Sequence, residues 1–294
     1  MKKIKILIPI TVIVLILSTT VVQGDYQVTV GQTFTYNVNR SYWRVKVGSD
    51  FASAAKYNIG LTSSDEGTSI EINVTDVVPT TSVDYNIEVG SDTYPSSSDS
   101  FSFAYMGTDL FFINIIGMYF SGPWSEGSVS IGPSLHGEFF FNTETETFDF
   151  FREHANSTYL TNHYTATPYD FSQIKGNFDE SADIVIFDWI IEGTINTPYT
   201  AYPFEVDGYE LFKIAFNKNT GVLQGYRIEL DYTGTNEGRD FEVHLEQEVT
   251  LDGYTLPAFY YDKPAGLSGY KWYLPFAAFS SIIIVSIIIR KKRK

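Results

Sequence analysis

Apolar and polar residues alternate along much of the middle of the chain. The alternating stretches in the first third are Tyr26–Asn39, Tyr42–Val47, Ser69–Val78 and Ser82–Val89. A period of two puts apolar side chains on one face of a strand and polar side chains on the other. Gly31 and the Pro-containing segment after Val78 mark turns between these strands. The pattern therefore predicts a half-buried antiparallel meander.

The clearest alternation comes late in the chain. Tyr209–Phe216 and Val222–Tyr232 flank a turn at Asn217–Gly221, and Asp240–Leu251 then alternates strictly. Gly221 suits the positive φ that such a hairpin loop requires. One face of these strands is expected to pack and the other to contact water. The whole pattern predicts a mainly β domain, built as a curved antiparallel sheet or a sandwich with one or two packed helices.

Other stretches do not alternate so simply. Glu138–Phe151 is interpreted as two aromatic strands around an Asn142–Thr147 turn. Ala182–Ile191 is apolar on both faces, which fits either a core strand or a short buried helix. Gly90–Ser100 reads as a polar loop and Thr158–Asn177 as an irregular segment.

An apolar run at Leu110–Phe120 stands apart from the strand pattern. It is too short to span a bilayer. Three interpretations stay open: a buried core element, the wall or lid of a ligand cavity, and a membrane-dipping segment. Under the second, the candidate lining residues are Leu110, Phe111, Phe112, Ile115, Met118 and Phe120.

The C-terminus carries the pattern of a membrane anchor. Residues 272–289 are almost wholly apolar and uncharged, and 290–294 are all basic. At about 1.5 Å per residue, 18 residues span roughly 27 Å, close to one hydrocarbon core. The basic cluster is expected to stay in the cytoplasm, with the preceding domain outside the cell. The anchoring residues are aromatic or basic: Trp272, Tyr273, Arg290, Lys291, Lys292 and Arg293.

The N-terminus resembles a secretory signal. Lys2, Lys3 and Lys5 precede an apolar stretch, and small residues at Val22 and Gly24 suit cleavage before Asp25. An uncleaved N-terminal anchor is the alternative. The predicted organisation is a signal peptide at 1–24, a β-rich extracellular domain at 25–256, a juxtamembrane linker at 257–271, a transmembrane helix at 272–289 and a cytoplasmic tail at 290–294.

Charge narrows the possible partners. All 35 acidic residues lie between 25 and 271, against 12 Lys and Arg, so the predicted exported part carries a formal charge of −23. Nucleic-acid binding needs clustered basic residues and is not expected. The chain has no cysteine, which excludes a disulfide scaffold, a thiol nucleophile and Cys-ligated metal.

Catalytic and metal-binding motifs are sparse. The four histidines (His136, His154, His163 and His244) form no HExxH motif, and no GxSxG motif marks a serine nucleophile. No cofactor is therefore expected. Two acidic clusters offer oxygen ligands of the kind Ca²⁺ prefers, without the spacing of an EF-hand loop. They comprise Glu144, Glu146 and Asp149, and Asp179, Glu180 and Asp183. Three N-x-S/T triplets make Asn39, Asn73 and Asn156 candidate glycan acceptors in an exported domain.

A family resemblance rests on the layout and on two short motifs. These are the opening strand pair Val30–Val38 and the late hairpin Asn217–Tyr226 (NKNTGVLQGY), combined with a signal peptide and a C-terminal anchor with a basic end. Together they resemble the archaeal "choice-of-anchor S" surface proteins. The resemblance implies a surface-anchored protein of uncharacterised function and supplies no catalytic residues.

Three functions remain as hypotheses. The first is a non-enzymatic surface protein that binds an envelope component, a glycan or a protein partner outside the cell. The second is a carrier of a lipid or another hydrophobic ligand, with the apolar 101–120 segment lining its cavity. The third is an extracytoplasmic hydrolase, for which no carboxylate pair can be chosen among 35 acids. We expect a binding role rather than catalysis.

Overall fold

The computed structural model describes residues 26–59, 62–99, 139–156, 158, 169–196 and 203–264. Within these residues the chain forms a ten-stranded sheet, a separate two-stranded sheet and one α-helix. Every strand pairing is antiparallel. The prediction of a mainly β architecture is confirmed.

The elements follow one another along the chain with one helix among the strands. They are β1 (Thr33–Val47), β2 (Asp50–Ala54), β3 (Lys56–Ile59), β4 (Thr62–Asp65), β5 (Ser69–Val78), β6 (Ser82–Val89), β7 (Asp92–Asp99), α1 (Thr145–His154), β8 (Tyr169–Glu180), β9 (Ile184–Asn196), β10 (Phe204–Asn217), β11 (Leu223–Asn236) and β12 (Arg239–Leu251).

The long strand β1 joins the two halves of the sheet. The strand order is β7-β6-β5-β1-β12-β11-β10-β9-β8, with β2 also paired to β1, and β3 pairs with β4 outside this sheet. The turn predicted at Gly31 is present, with φ of +88°. The strand after it runs through the predicted break between Asn39 and Tyr42, with a bulge between Val38 and Arg40. Alternation on both sides of the bulge belongs to a single strand.

The predicted pair of aromatic strands at Glu138–Phe151 is wrong. Among the described residues of this stretch, only Phe140 makes a strand-like bridge, to Val222, and Thr145–His154 is helical. Phe148 and Phe151 lie three positions apart, which puts them on one side of a helix. Both rings contact Phe216, at centroid distances of 5.8 and 5.3 Å. This packing favours a helix over the second strand.

Two segments interpreted as irregular contain the edge strands of the sheet. Gly90–Ser100 includes β7, and Thr158–Asn177 overlaps β8. In the main sheet, β7 pairs with β6 and β8 with β9. An edge strand tolerates the polar residues and the Pro95 that argued for a loop. Ala182–Ile191, left open between strand and helix, belongs mainly to strand β9.

The two faces of the sheet differ in character. We call the face that carries Trp189, Phe212, Ile228 and Leu245 the inner face. Phe139–Phe141 and α1 pack at one end of it. We call the opposite side, with Lys213 and the acids and bases around it, the outer face. Alternation along β11 and β12 follows from this difference, since the inner positions are buried and the outer ones carry charge.

Candidate functional site

Among the described residues, one fully buried carboxyl group lies on the apolar inner face. Glu210 on β10 is completely buried. Strand register puts Ile191 of β9 and Leu230 of β11 directly beside it. Phe212, two positions along β10 on the same face, has its ring centroid 5.9 Å from that of Trp189. The acid therefore sits among aliphatic and aromatic side chains.

The hydrogen bonds of Glu210 satisfy only one of its oxygens. Trp189 Nε1 donates to Oε1 over 3.2 Å. The second oxygen, Oε2, is buried and has no hydrogen-bond partner among the residues that the structure describes. Burial raises the pKa of Glu210 to about 8, because the hydrogen bond from Trp189 offsets only part of the lost hydration. The carboxyl group is therefore mostly protonated at neutral pH.

Such a group is chemically well placed to recognise a ligand. Buried polar atoms in proteins are nearly always paired, so an unpaired carboxyl oxygen calls for an explanation. Ligand sites combine apolar walls with a few oriented polar groups, and they often hold a residue with a strongly shifted pKa. Glu210 and its surroundings have these features. Tyr232 on β11 is also fully buried and lies close enough to Glu210 for the two groups to interact electrostatically. We take this cluster of Glu210, Trp189, Phe212 and Tyr232, hereafter the inner-face cluster, as the candidate functional site.

The outer face carries a charged network. Oppositely charged side chains face one another across β9, β10, β11, β12 and β1, an arrangement that stabilises neighbouring strands. The ion pairs are Lys213–Asp188 (2.6 Å), Arg40–Glu246 (3.2 Å), Arg44–Glu242 (3.3 Å), Lys46–Glu242 (2.7 Å) and Arg227–Glu248. The acids of this network are held by bases of the same sheet, so we assign the network a structural role.

Residues 256–263 cover part of the outer face. Ile190 and Leu211 belong to an apolar patch on the sheet, and Phe259 and Tyr261 pack against this patch. The backbone N–H of Tyr260 donates to Asp188 Oδ1 over 3.2 Å. The guanidinium of Arg227 lies 5.5 Å from the Phe259 ring centroid, and Lys263 pairs with Glu229. The predicted 257–271 linker thus begins as a segment bound to the sheet, up to the last described residue, Pro264.

Several predicted functional segments lie outside the described residues. These are the signal peptide, the candidate cavity lining between Leu110 and Phe120, and the anchor from Trp272 to Lys294. Within the described ranges, no helix is long and apolar enough to cross a membrane.

The two acidic clusters considered for calcium meet around one arginine. Arg152 Nη1 donates to Asp149 Oδ1 and its Nη2 to Glu180 Oε2, each over 2.8 Å. Lys218 also contacts Glu180 (2.6 Å) and, together with Arg152, lowers the pKa of that carboxyl. Asp183 accepts from the Asn219 amide. Across the part of the chain that the structure describes, no group of three or more metal-ligating side chains is placed to hold an ion.

Sequence reasoning missed Glu210, although a signal for it exists. In Tyr209–Phe216 (YELFKIAF) two charged residues stand in an otherwise apolar strand, three positions apart. An odd spacing puts the two side chains on opposite faces of the strand. Each face therefore carries one charged residue, which must be either paired within the protein or exposed to water. Lys213 finds Asp188 on the outer face, and Glu210 lies on the inner one.

The His244 contacts predict a pH-dependent stability. Burial alone would lower the pKa of His244, but Asp231 (3.6 Å) and Glu246 (3.5 Å) raise it to about 9. Since an unfolded His titrates near pH 6.5, the protonated side chain stabilises the fold fully below that pH. We expect this contribution, about 1–3 kcal/mol, to be lost as the pH rises to about 9.

Denaturant unfolding of the detergent-purified full chain at several pH values tests this expectation. The raised pKa of Glu210 also makes stability fall with rising pH, between about 4.5 and 8. The His244→Gln variant isolates the His244 contribution, because its difference from wild type should shrink between pH 6.5 and 9. A difference that stays constant over this range would contradict the assignment.

The structure ranks the three candidate glycan acceptors. The Asn39 amide Nδ2 donates to Glu248 Oε1 (3.1 Å) and Thr250 Oγ1 (2.9 Å), so glycosylation there would break both bonds. Asn73 lies within β5, between two neighbouring strands, and accepts a hydrogen bond from Thr33. Asn156 is exposed after α1, and its side-chain oxygen accepts from the Thr158 N–H.

We therefore predict that a glycan, where present, occupies Asn156 and not Asn39. Glycopeptide mass spectrometry of the protein from its native host measures occupancy at each site. The Asn156→Gln variant should lose the modified peptide, whereas Asn39→Gln should leave glycan mass unchanged. Modification of Asn39 in folded protein would contradict the ranking.

Comparison of the chain with protein-family models, curated proteins and solved structures gives no match.

Proposed function

We propose that this chain is an exported, single-pass membrane protein whose acidic β domain binds a partner outside the cell and performs no catalysis. The proposal rests on the signal-like residues 1–24, the apolar residues 272–289 and the basic end at 290–294. Its partners are the membrane, through the C-terminal helix, and an envelope component, glycan or protein. The same layout of signal peptide and C-terminal anchor is part of the resemblance to the choice-of-anchor S surface proteins.

The observation that carries the proposal is the attachment of residues 256–263 to the outer face. The segment that leads to the predicted anchor is held by Asp188, Arg227 and Glu229. Residues 264–271 then separate the sheet from the predicted helix, a reach of at most about 29 Å. This supports a β domain carried close to the membrane surface, with the outer face toward the anchor and the remainder of the domain open to partners.

The absence of cysteine allows a direct topology test. We would introduce one cysteine at Val30, which is 60% exposed, or at Lys294 in the tail. A membrane-impermeant maleimide should label the Val30→Cys variant on intact cells and the Lys294→Cys variant only after lysis. Labelling of Lys294→Cys on intact cells, or protection of Val30→Cys until lysis, would overturn the proposed orientation.

A second candidate function is that of a hydrophobic-ligand carrier, and the inner-face cluster favours it. In this candidate the sheet is a curved wall, and the apolar residues between Leu110 and Phe120 line the cavity with it. The support is Glu210, whose Oε2 lies buried without a described partner in an apolar face. A bound polar group at this oxygen would remove an otherwise unexplained cost, of about 1–3 kcal/mol for an unpaired buried group.

Native mass spectrometry of the detergent-purified full chain tests the carrier function. A stoichiometric apolar adduct should appear with wild type and weaken in the Glu210→Gln variant. The control variant Arg239→Met, which changes a half-exposed pair with Glu237 at the β11–β12 turn, should retain it. A well-folded chain free of any adduct, in native spectra and in organic extracts, would argue against a tightly held ligand and leave the surface-binding or envelope role.

A further inference from the structure

We propose that the inner-face cluster binds an amphipathic amine, with the ammonium group on Glu210 Oε2 and the apolar part against the surrounding side chains. This inference rests on the carrier candidate and names the chemical class of its ligand. Glu210 is fully buried, and among the described residues it has one hydrogen bond, from Trp189 to Oε1. The remaining oxygen lies in an apolar, partly aromatic environment.

The described lysines and arginines of the domain do not pair with this acid. Twelve Lys and Arg lie between residues 25 and 271, and the structure describes all of them except Lys271. Ten of these eleven form ion pairs with acids other than Glu210. The eleventh, Lys175, donates to Gln173 Oε1 over 3.3 Å. Among the described residues, therefore, no lysine or arginine is paired with Glu210.

The internal segments that the structure does not describe offer no further lysine or arginine. Residues 60–61, 100–138, 157, 159–168 and 197–202 contain no Lys or Arg. A permanent positive charge for Glu210 is therefore not encoded in these segments either. The carboxyl group then has two stable states: protonated in the empty site, or ionised opposite a cation that comes from a ligand.

The surroundings favour an amine over other polar groups. A fatty carboxylate could accept the proton of the neutral carboxyl group, but that pair would keep a net negative charge in a low-dielectric site, whereas an ammonium–carboxylate pair is neutral overall. An alcohol could donate one neutral hydrogen bond, which is roughly half as strong as one between charged partners. Aromatic side chains near Glu210, including Trp189 and Phe212, add attraction for a cation where a ring face meets it.

Binding should release a proton. The empty site holds a neutral carboxyl group, as expected from the raised pKa of Glu210. When the protonated amine pairs with it, the carboxyl group loses its proton to solvent, so that an ammonium–carboxylate pair remains and charge balances. At pH 7, because the pKa of Glu210 is raised to about 8, most binding events should release a proton, up to one per ligand.

Calorimetry with three small probes of equal chain length tests the inference. We would titrate hexylamine, hexanol and hexanoate into the full chain, held in phosphatidylcholine nanodiscs at pH 7, in two buffers of different ionisation enthalpy. We expect hexylamine to bind at least about tenfold more tightly than hexanol, with proton release. Empty nanodiscs supply the baseline for partitioning into lipid.

Variants separate this inference from the carrier candidate. Glu210→Gln should bind hexylamine and hexanol equally and release no proton, whereas Asp179→Asn, an exposed acid on β8, should behave as wild type. Glu210→Asp keeps the carboxyl group and should keep the preference for hexylamine over hexanol. This variant keeps the inference testable if Glu210→Gln does not fold.

Two results would count against the inference, and they differ in what else they remove. Equal binding of hexylamine and hexanol by wild type would overturn the amine class while leaving an apolar-ligand carrier in place. No binding of any probe, together with native spectra free of adducts, would remove both.

Discussion

Replacing Lys213 by Met should lower the free energy of unfolding by about 3–5 kcal/mol. Lys213 Nζ lies 2.6 Å from Asp188 Oδ2, and the two side chains are only 3% and 2% exposed. Without the lysine, the Asp188 carboxylate is left buried and unpaired in a site that already disfavours charge. Burial raises the pKa of Asp188 even with Lys213 present. The measurement is denaturant unfolding of the detergent-purified full chain, followed by tryptophan fluorescence.

Two further variants make this test specific. The double variant Asp188→Leu with Lys213→Met should recover most of the lost stability, because apolar residues of similar size often replace a buried pair at little cost. The matched control Arg239→Met breaks the exposed pair with Glu237 and should change stability by less than about 1 kcal/mol. A loss this small for Lys213→Met would contradict the buried pair.

The same substitution also bears on the membrane-proximal segment. Asp188 uses its second oxygen, Oδ1, to accept the backbone N–H of Tyr260. An Asp188 that takes up a proton or turns toward water after loss of Lys213 would weaken this contact. We therefore expect residues 256–263 to become more sensitive to limited proteolysis in Lys213→Met than in Arg239→Met.

The strands could be predicted where one face is wet. Asp240–Leu251 alternates because its inner side chains are buried and its outer ones carry charge, and β12 spans nearly the same residues. Alternation fails in β9 and β10, which are buried on both faces. The outer cover of these strands comes from residues 256–263, and local periodicity holds no information about a segment so distant in sequence.

The helix α1 shows a different limit. Its ten residues contain three Phe at positions 148, 150 and 151, a pattern that fits a short strand as well as a helix. What selects the helix is packing against Phe216 and Phe187, more than 30 residues further along the chain. Tertiary contacts of this kind override local preference.

The inner-face cluster could not be chosen from the sequence alone. Glu210 is one of 35 acids, and the odd spacing of Glu210 and Lys213 shows only that they point to opposite faces, not which of the two lacks a partner. Strand register determines the environment of Glu210: Lys and Arg side chains lie beside other carboxylates, and this carboxyl group lies beside apolar side chains. The signal peptide and the membrane anchor, by contrast, can be predicted from the composition of the two terminal segments. Both lie outside the described residues and remain predictions.

The hairpin between β10 and β11 supports the second prediction of large effect. Gly221 has φ of +70°, as expected for this turn, and also touches the segment before α1. Its carbonyl accepts the Phe141 N–H over 2.7 Å, and Leu223 N–H donates to the Phe139 carbonyl over 2.9 Å. A Cβ at Gly221 would overlap the carbonyl oxygen of Phe141.

Gly221→Ala should therefore cost more than a turn substitution usually does. The left-handed conformation contributes about 1–2 kcal/mol and the overlap with Phe141 about 1–3 kcal/mol more. Gly238→Ala is the matched control, because Gly238 also lies in a hairpin turn with φ of +74°, and a Cβ added there would meet no atom within 4 Å. It should lose only the first contribution in denaturant unfolding of the full chain.

Equal losses in the two variants would show that Phe141 does not restrain this turn. Unequal losses would show that the hairpin holds Phe139–Phe141 against the end of the inner face, where their rings meet Tyr36, Tyr85 and Phe216. Gly221→Ala should then also weaken any ligand bound at the inner-face cluster, while Gly238→Ala should not. The turn that the sequence predicts most clearly would thus be coupled to the site that the sequence does not reveal.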